Sequence, residues 1–570
     1  MNTFLPLNQL KRHALLLSAL LLWGIYLGWI ASRPQNVFWT VDEGGKFIYM
    51  KQFLRNGNPS APLDYPGRPL DPEGKFYPSS YVVHRDGQVY MWWQIGFPIL
   101  ASFFYRLLGW SGLYFLPATA GVLTAWLSAE IISLITAREK WALFAFWAVG
   151  LCTPIAFYST MFWEHTLTTC GVTATLYLLL LGIQQQRQRW FYIAGISAAL
   201  AVFFRLEAIT LLAGFGLILL FRSWKQAIRY GLSFVAALTP LIFWHWRMTG
   251  FPFAPIIDQL VQKQSFSALQ ALNKRFLAHI FFNPPAVWTL ELPRPWLIFA
   301  SLAVLLIVPG LFIRRLRWLS ILASALTLLP VLWILTSPIG YRSLQGLITA
   351  GPIVLAAIWL YARSPKTNQI EGNLPPSLFR AMLTAGLILL GILYTYKAWV
   401  GAGGLQWGPR YLLSVYPLLT IAAWIGLAQH WTSFSLLARR SLAILYITCA
   451  LLGFAGQVRG ALSVRTVLNY YQQSEPVYQS LPNLPIITAW CDIVYLLPNL
   501  YDQKPFFSVT YPTLDQWAEH AKTMGIETFY VANLDMCSPD MLDQIALKRL
   551  TDPDGLQIIQ FRTEHYPNHE

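Results

Sequence analysis

"MWWQIGFPILASFFYRLLG", residues 91–109, is the stretch on which the fold turns. Its apolar length meets the roughly 20 residues that a transmembrane helix needs. Whether it crosses decides the side on which every later loop emerges. Other segments read as spans without ambiguity: 13–31, 113–136, 141–158, 165–183, 190–205, 207–221, 229–246, 296–313, 317–336, 345–361, 380–398, 411–428 and 439–456. With 91–109 left out, the even-numbered connections hold Arg138 and Lys140, Arg187 and Arg189, Arg222 and Lys225, Arg314, Arg315 and Arg317, Arg363 and Lys366, and Arg439 and Arg440. Lys11 and Arg12 at the N-terminus fall on the same side. Short loops rich in Lys and Arg stay cytoplasmic. Were 91–109 to cross, the N-terminal cluster would oppose all the others. The segment is therefore expected to lie in the outer interface or to dip partway in, with Trp92 and Trp93 at its start and Gly96 and Pro98 as breaks.

Composition agrees with a membrane chain. Of 570 residues, 55% are hydrophobic and 12% charged, and the mean hydropathy is +0.45. Soluble domains carry about 25% charged residues. A β-barrel would alternate polarity in segments of about ten residues, and no such pattern occurs. Many of the 25 Trp lie at segment ends, where an interfacial belt places them. The net charge of +15 follows from the basic cytoplasmic loops and is no nucleic-acid signal. The first apolar segment lacks a small-residue cleavage site and reads as a retained helix.

The expected fold class is an all-α polytopic membrane protein of about 13 transmembrane helices, with a C-terminal extracytoplasmic α/β domain. The expected division is a transmembrane domain over 1–456, containing a first outer loop at 32–112, and a soluble domain over 457–570. The N-terminus is expected in the cytoplasm. The loops 32–112, 247–295 and 399–410 are expected outside, with the tail. In the tail, "LPIITAWCDIVYLLPNL" reads as strand and helix, "TLDQWAEHAKTMGI" as a helix, and "ETFYVAN" and "LQIIQFR" as strands. Cys152, Cys170 and Cys449 fall in apolar helices as packing residues, and no cysteine spacing suits zinc. Cys491 and Cys537 lie in the tail, where an oxidising compartment would permit a bridge whose geometry the sequence does not fix. The absence of a valid Asn-X-Ser/Thr sequon fits a bacterial inner membrane.

Ionisable groups near a membrane core are costly, so each is a functional candidate. "FWTVDEGGKF", residues 38–47, sets Asp42 and Glu43 at the start of a surface helix that stops at Asn56-Gly57. The helix dipole favours one acid there, and two invite a chemical reading as readily as a capping one. Glu164 and His165 suit metal binding or proton transfer, against the commoner reading of an interfacial pair at a helix start. Arg205 and Glu207 suit a local ion pair. His245 and Arg247 close the seventh span, and Arg410 opens the twelfth. A guanidinium at the interface holds phosphate bidentately or snorkels as an anchor. Asp42, Glu43, Glu164, His165, Arg205, Arg247 and Arg410 share one depth and one side of the expected topology. Acids suited to proton abstraction beside arginines suited to phosphate point to transfer from a phosphate-linked lipid.

These residues resemble those of the GT-C fold glycosyltransferases, in the group containing protein O-mannosyltransferases and the bacterial aminoarabinose transferase. "VDEGGKFIYMKQFLRNG" is similar to the acid-pair helix after the family's first span. In the segment at 91–109, Gly96, Pro98, Tyr105, Arg106 and Gly109 agree with the family's pattern. Trp92, Gln94 and Ile95 stand where the family's lysine and double proline would, so that lysine's role is not carried over. "WRMTGFPFAP" and "GPRYLLSVYPLL" resemble two later family segments in the family's order.

The resemblance implies an inverting transfer of a hexose or pentose from a polyprenyl-phosphate sugar to the hydroxyl of a lipid, glycan or protein acceptor. Asp42 is implied as general base, and Arg410, with Arg205 or Arg247, as the phosphate-binding set. Glu43 and Glu164 are implied to orient substrate, or to hold a divalent metal ion with His165; family members differ in using a metal. Two alternatives stand beside this reading. One is a secondary transporter of a lipid-linked or small anionic solute, against which no repeated halves are visible. The other is an oligosaccharyl transferase using a diphosphate-linked glycan. A sensor with the tail as receptor would leave the acid and arginine set unexplained.

Overall fold

The computed structural model describes residues 9–136, 139–254, 317–336, 346–361, 374–396, 407–431, 434–489, 492–509, 514–526, 528–532, 548–551 and 557–562. The expected span at 296–313, most of the 247–295 loop, Cys491 and Cys537 lie outside these residues. The chain is mostly helical and divides into two compact units. The first comprises Met1–Ala31, Tyr114–Phe243 and Gln264–Ser463; the second comprises Ser32–Leu113, Trp244–Lys263 and Val464–Glu570.

Six helical stretches among the described residues are long and apolar enough to cross a membrane: His13–Ala31, Gly96–Thr136 (the short helix Gly96–Leu108, a 3-10 turn over Gly109–Tyr114 and the helix Phe115–Thr136), His165–Gln185, Trp224–Thr249, Pro376–Leu393 and Leu436–Ser480. Lys140–Cys152, Arg189–Phe204, Ala208–Arg222 and Val415–Gln429 are shorter apolar helices. Within the first unit, bare backbone permits close crossings. A Cβ on Gly214 would lie 2.4 Å from the Gly386 nitrogen, so these helices touch main chain to main chain. Small residues do this where lipid supplies no hydrophobic drive between helices. The expected span at 141–158 is split: a helix ends at Cys152, and Thr153-Pro154 turn the chain into the short helix Ile155–Tyr158. Pro154 lacks the N–H that would continue the ladder. The last apolar helix runs unbroken from Leu436 to Ser480, well past its expected end at 456. Apolar density falls there, yet the helix continues through Gly460 and Pro476, so intrinsic propensity does not account for its length.

The second unit holds the segment after the first apolar helix, Ser32–Leu113, and the tail. Thr40, in extended backbone, caps the helix Val41–Asn56, and Gly57 at φ 66° ends it. Only a residue without Cβ takes that conformation cheaply. Strands β1 (Val82–Arg85) and β2 (Gln88–Met91) form a hairpin around Asp86-Gly87, both at positive φ. Such a turn matches the strands' twist. The helix Gly96–Leu108 follows. Its 13 residues rise about 20 Å, short of a roughly 30 Å hydrocarbon core. Phe97 and Ala101 are buried while Leu100, Phe103, Leu107 and Leu108 are exposed, an outward apolar face suited to an interface.

In the tail, β3 (Ile486–Ala489), β4 (Phe506–Val509), β5 (Thr528–Ala532), β6 (Lys548–Thr551) and β7 (Gln557–Arg562) form one sheet in the order β4-β3-β5-β7-β6. β3 runs parallel to β4 and β5, and β7 runs antiparallel to β5 and β6. The Ser32–Leu113 segment completes this unit. Ser508 of β4 donates its N–H to the Phe76 carbonyl at 3.0 Å, and the Phe76 ring packs 5.2 Å from Trp517 of the helix Leu514–Thr523.

Candidate active site

In the first unit, polar chemistry gathers where three turns meet. Glu164 is the residue before the helix His165–Gln185. Arg205 ends the helix Arg189–Phe204 in extended backbone, and Glu207 precedes the helix Ala208–Arg222. The break at residues 205–207 turns the Arg205 side chain onto its neighbours. Its Nη1 donates to Glu164 Oε1 at 2.9 Å, and its Nε donates to Glu207 Oε1. Nη1 also lies 3.4 Å from His165 Nε2, a contact that requires the tautomer with its proton on Nδ1. The side chains of Arg205, Glu164 and Glu207 are 17%, 8% and 19% exposed. One guanidinium thus serves two carboxylates in a place with little water, where an unpaired charge would be costly.

A second cation is held differently. Trp407 donates its N–H to the Tyr158 hydroxyl at 3.3 Å, and that hydroxyl donates to the Gly408 carbonyl at 3.2 Å. Gly408 sits at φ 77° with its Cα against Pro154 and Ala350, so no side chain fits there. This turn delivers Arg410. Its guanidinium lies 5.3 Å from the Trp163 ring and 5.2 Å from the Tyr411 ring. The Arg205 guanidinium lies 5.0 Å from the same Tyr411 ring. Both arginines line one small pocket, with His165, Glu207, Tyr411 and Ser414. Ser414 is hydrogen-bonded to Thr169 at 3.1 Å. Two guanidiniums at one pocket suit an anion, and the rings that hold them favour cations by cation–π attraction.

Asp42, Glu43 and Arg247 belong to the second unit. Thr40 Oγ1 donates to Glu43 Oε2 at 3.3 Å, and Glu43 is buried at the first turn of the helix. Asp42 is half-buried, Lys46 one turn on is buried, and Arg247 is exposed. His245 is buried and bonded through Nδ1 to the Phe251 carbonyl at 2.8 Å, closing the turn at Gly250.

Of the seven candidates, the fold brings Glu164, His165, Arg205 and Arg410 to one place in the first unit. Where Glu164 and Glu207 converge, the cation is Arg205, and among the described residues no three His, Cys, Asp or Glu side chains are grouped to hold an ion. Tyr411 and Trp163 escaped sequence reasoning, although each neighbours a residue that was singled out.

No family model matches this chain, and no curated protein does. Solved structures do match. The apo structure of ArnT from Cupriavidus metallidurans aligns over 98% of both chains, with 12% identity and a TM-score of 0.51. ArnT bound to undecaprenyl phosphate aligns over 96% of this chain and 97% of its own, with 12% identity and a TM-score of 0.48. The apo oligosaccharyltransferase from Archaeoglobus fulgidus aligns over 95% of this chain and 74% of its own, with 11% identity and a TM-score of 0.46. The chain has a GT-C-like fold, shared with ArnT along nearly its whole length.

Proposed function

We propose that this chain is an inverting glycosyltransferase that moves a sugar from a polyprenyl-phosphate donor to an acceptor hydroxyl at the outer face of a bacterial inner membrane. One observation carries the reading: Arg205 and Arg410 line a single pocket, 5.0 and 5.2 Å from the Tyr411 ring, in a chain with a GT-C-like fold. In this reading Asp42 accepts the proton of the acceptor hydroxyl as that oxygen attacks the anomeric carbon. The bond from that carbon to the phosphate oxygen breaks on the opposite face, and the lipid phosphate leaves with the electron pair. Phosphate is a good leaving group, so no strong general acid is needed. Arg410 is the principal donor to the growing phosphate charge. Arg205, with two of its nitrogens on carboxylates, is the nearer to a positioning cation, and the exposed Arg247 is a peripheral one. The tail and the 32–112 loop work on the outer side of the membrane.

The test is turnover. Purified full-length protein in lipid nanodiscs is incubated with radiolabelled undecaprenyl-phosphate pentoses and hexoses and with a lipid extract as acceptor source. Transfer that Asp42→Asn abolishes, with unchanged thermal unfolding, supports the proposal. Uptake of the labelled solute into sealed vesicles without product would instead make the chain a transporter.

A further inference from the structure

The helix that carries Asp42 is seated on a single turn of the tail, and every contact in this seat lies within the second unit. Four residues before Asp42, Phe38 donates its N–H to the Leu496 carbonyl at 2.9 Å. Two residues after it, a Cβ on Gly44 would lie 1.5 Å from the Tyr495 carbonyl oxygen. Two consecutive carbonyls of the short helix Ile493–Leu496 therefore bracket the acid pair in space. Only glycine admits the second contact.

That turn is held in place by Asp492, which is 8% exposed. Its carbonyl accepts the Tyr495 N–H at 2.9 Å, closing the turn. Its carboxylate accepts the Ser80 N–H at 3.0 Å, and the Ser79 hydroxyl bonds to it as well. Beyond it, the Tyr495 hydroxyl donates to Tyr77 at 3.5 Å, Tyr77 pairs with Tyr501 at 2.8 Å, and Tyr501 donates to the Asp64 carbonyl at 2.7 Å. Among the described residues no cation pairs with Asp492; its polar surroundings are backbone, the Ser79 hydroxyl and the phenol of Tyr495.

We propose that Asp492 is a positioning residue for Asp42: by tying residues 79–80 to the 493–496 turn, it fixes the carbonyls against which the acid-pair helix sits. The inference rests on Asp42 acting as the base. What the seat requires of residue 492 is a hydrogen-bond acceptor at the right reach, not a charge. A displacement of about 1 Å in a catalytic group can lower turnover about 100-fold.

The experiment compares full-length wild type, Asp492→Ala and Asp492→Asn in nanodiscs, by steady-state kinetics on the polyprenyl-phosphate sugar and by hydrogen exchange of peptides covering residues 41–56. In Asp492→Ala, kcat falls about 10- to 100-fold with donor KM within about twofold, and exchange rises in 41–56. In Asp492→Asn both return to wild-type values. Wild-type kcat or wild-type exchange in Asp492→Ala overturns the proposal. Should the alanine variant fail to fold, Gly44→Ala decides, since it unseats the helix while leaving Asp492 intact; wild-type kcat there overturns the proposal too. A wild type without any turnover refutes the transfer reaction instead, and the exchange comparison still decides whether Asp492 seats the helix.

Discussion

The two units bury acid by opposite means. In the first, Glu164 and Glu207 are buried against the Arg205 guanidinium, charge on charge. In the second, Asp492 is buried against a backbone N–H and hydroxyls, with no cation beside it among the described residues. Desolvation accordingly raises its carboxyl from the usual range to about 6, against the bonds from Ser79 and Ser80 that lower it. A paired site fails when a partner is removed. An unpaired one fails, or improves, with pH.

The largest effect is expected at the paired site. Arg205→Met removes the cation that Glu164 and Glu207 share, and breaking a buried pair from one side costs about 3–5 kcal/mol. Thermal unfolding in detergent reads this as a sharply lowered midpoint. Adding Glu164→Gln and Glu207→Gln to the same chain should recover much of the loss, because the stranded charges go with them. A near wild-type midpoint for Arg205→Met alone would erase the contrast between the units.

A comparable but pH-dependent effect belongs to Asp492. Its folded pKa lies above its unfolded one. Its contribution to stability is therefore fully present below about 3.8 and is lost as pH rises through about 6. A shift of about two pKa units corresponds to about 3 kcal/mol. Asp492→Asn escapes that loss. Its midpoint should draw ahead of the wild type's as pH rises from 4 to 7.5, and the gap should level off above about 7. A gap that does not change with pH would mean that Asp492 is solvated as well as an exposed acid.

These two sites also mark what the sequence makes legible. The long apolar helices, three of the tail's five strands (β3, β5 and β7) and the acid-pair helix follow from hydropathy, alternation and the stop at Asn56-Gly57, whereas the expected span at 345–361 is a short helix, Leu347–Ala350, followed by the 3-10 stretch Pro352–Tyr361. Those signals are local. Glu164, His165, Arg205 and Arg410 were visible because a charged residue in an apolar run is conspicuous, whatever it touches. The approach of two guanidiniums to the Tyr411 ring was not, since one of its partners is 206 positions away and no periodicity reports such a contact. Nor was the seat of Asp42. The Ser80–Asp492 bond spans 412 positions, and "WCDIVYLL" shows only an acid in a greasy segment. The fusion of the first loop with the tail is likewise a matter of long-range pairing, as in Phe76 with Ser508.

The smallest expected effect isolates what burial contributes. Asp502 stands in the same tail as Asp492, but at the surface, with its side chain 28% exposed. It has what Asp492 lacks: Lys51 at 3.0 Å, and Arg55, both from the acid-pair helix. Partial burial raises its carboxyl, but hydrogen bonds from Arg55 and Lys51 outweigh that and hold it below the usual range. Its contribution therefore runs the other way, present above the unfolded pKa and lost as pH falls through the folded one. Water screens it, and Arg55 is half exposed, so Asp502→Asn should cost no more than about 1 kcal/mol at neutral pH. Added salt should shrink even that, whereas the Asp492→Asn difference should survive in salt, because ions do not reach a buried carboxylate. Two acids ten residues apart would then titrate stability in opposite directions, and only the exposed one would respond to ionic strength. If salt moved both alike, Asp492 would be reached by solvent, and the seat it gives the acid-pair helix would be open to water.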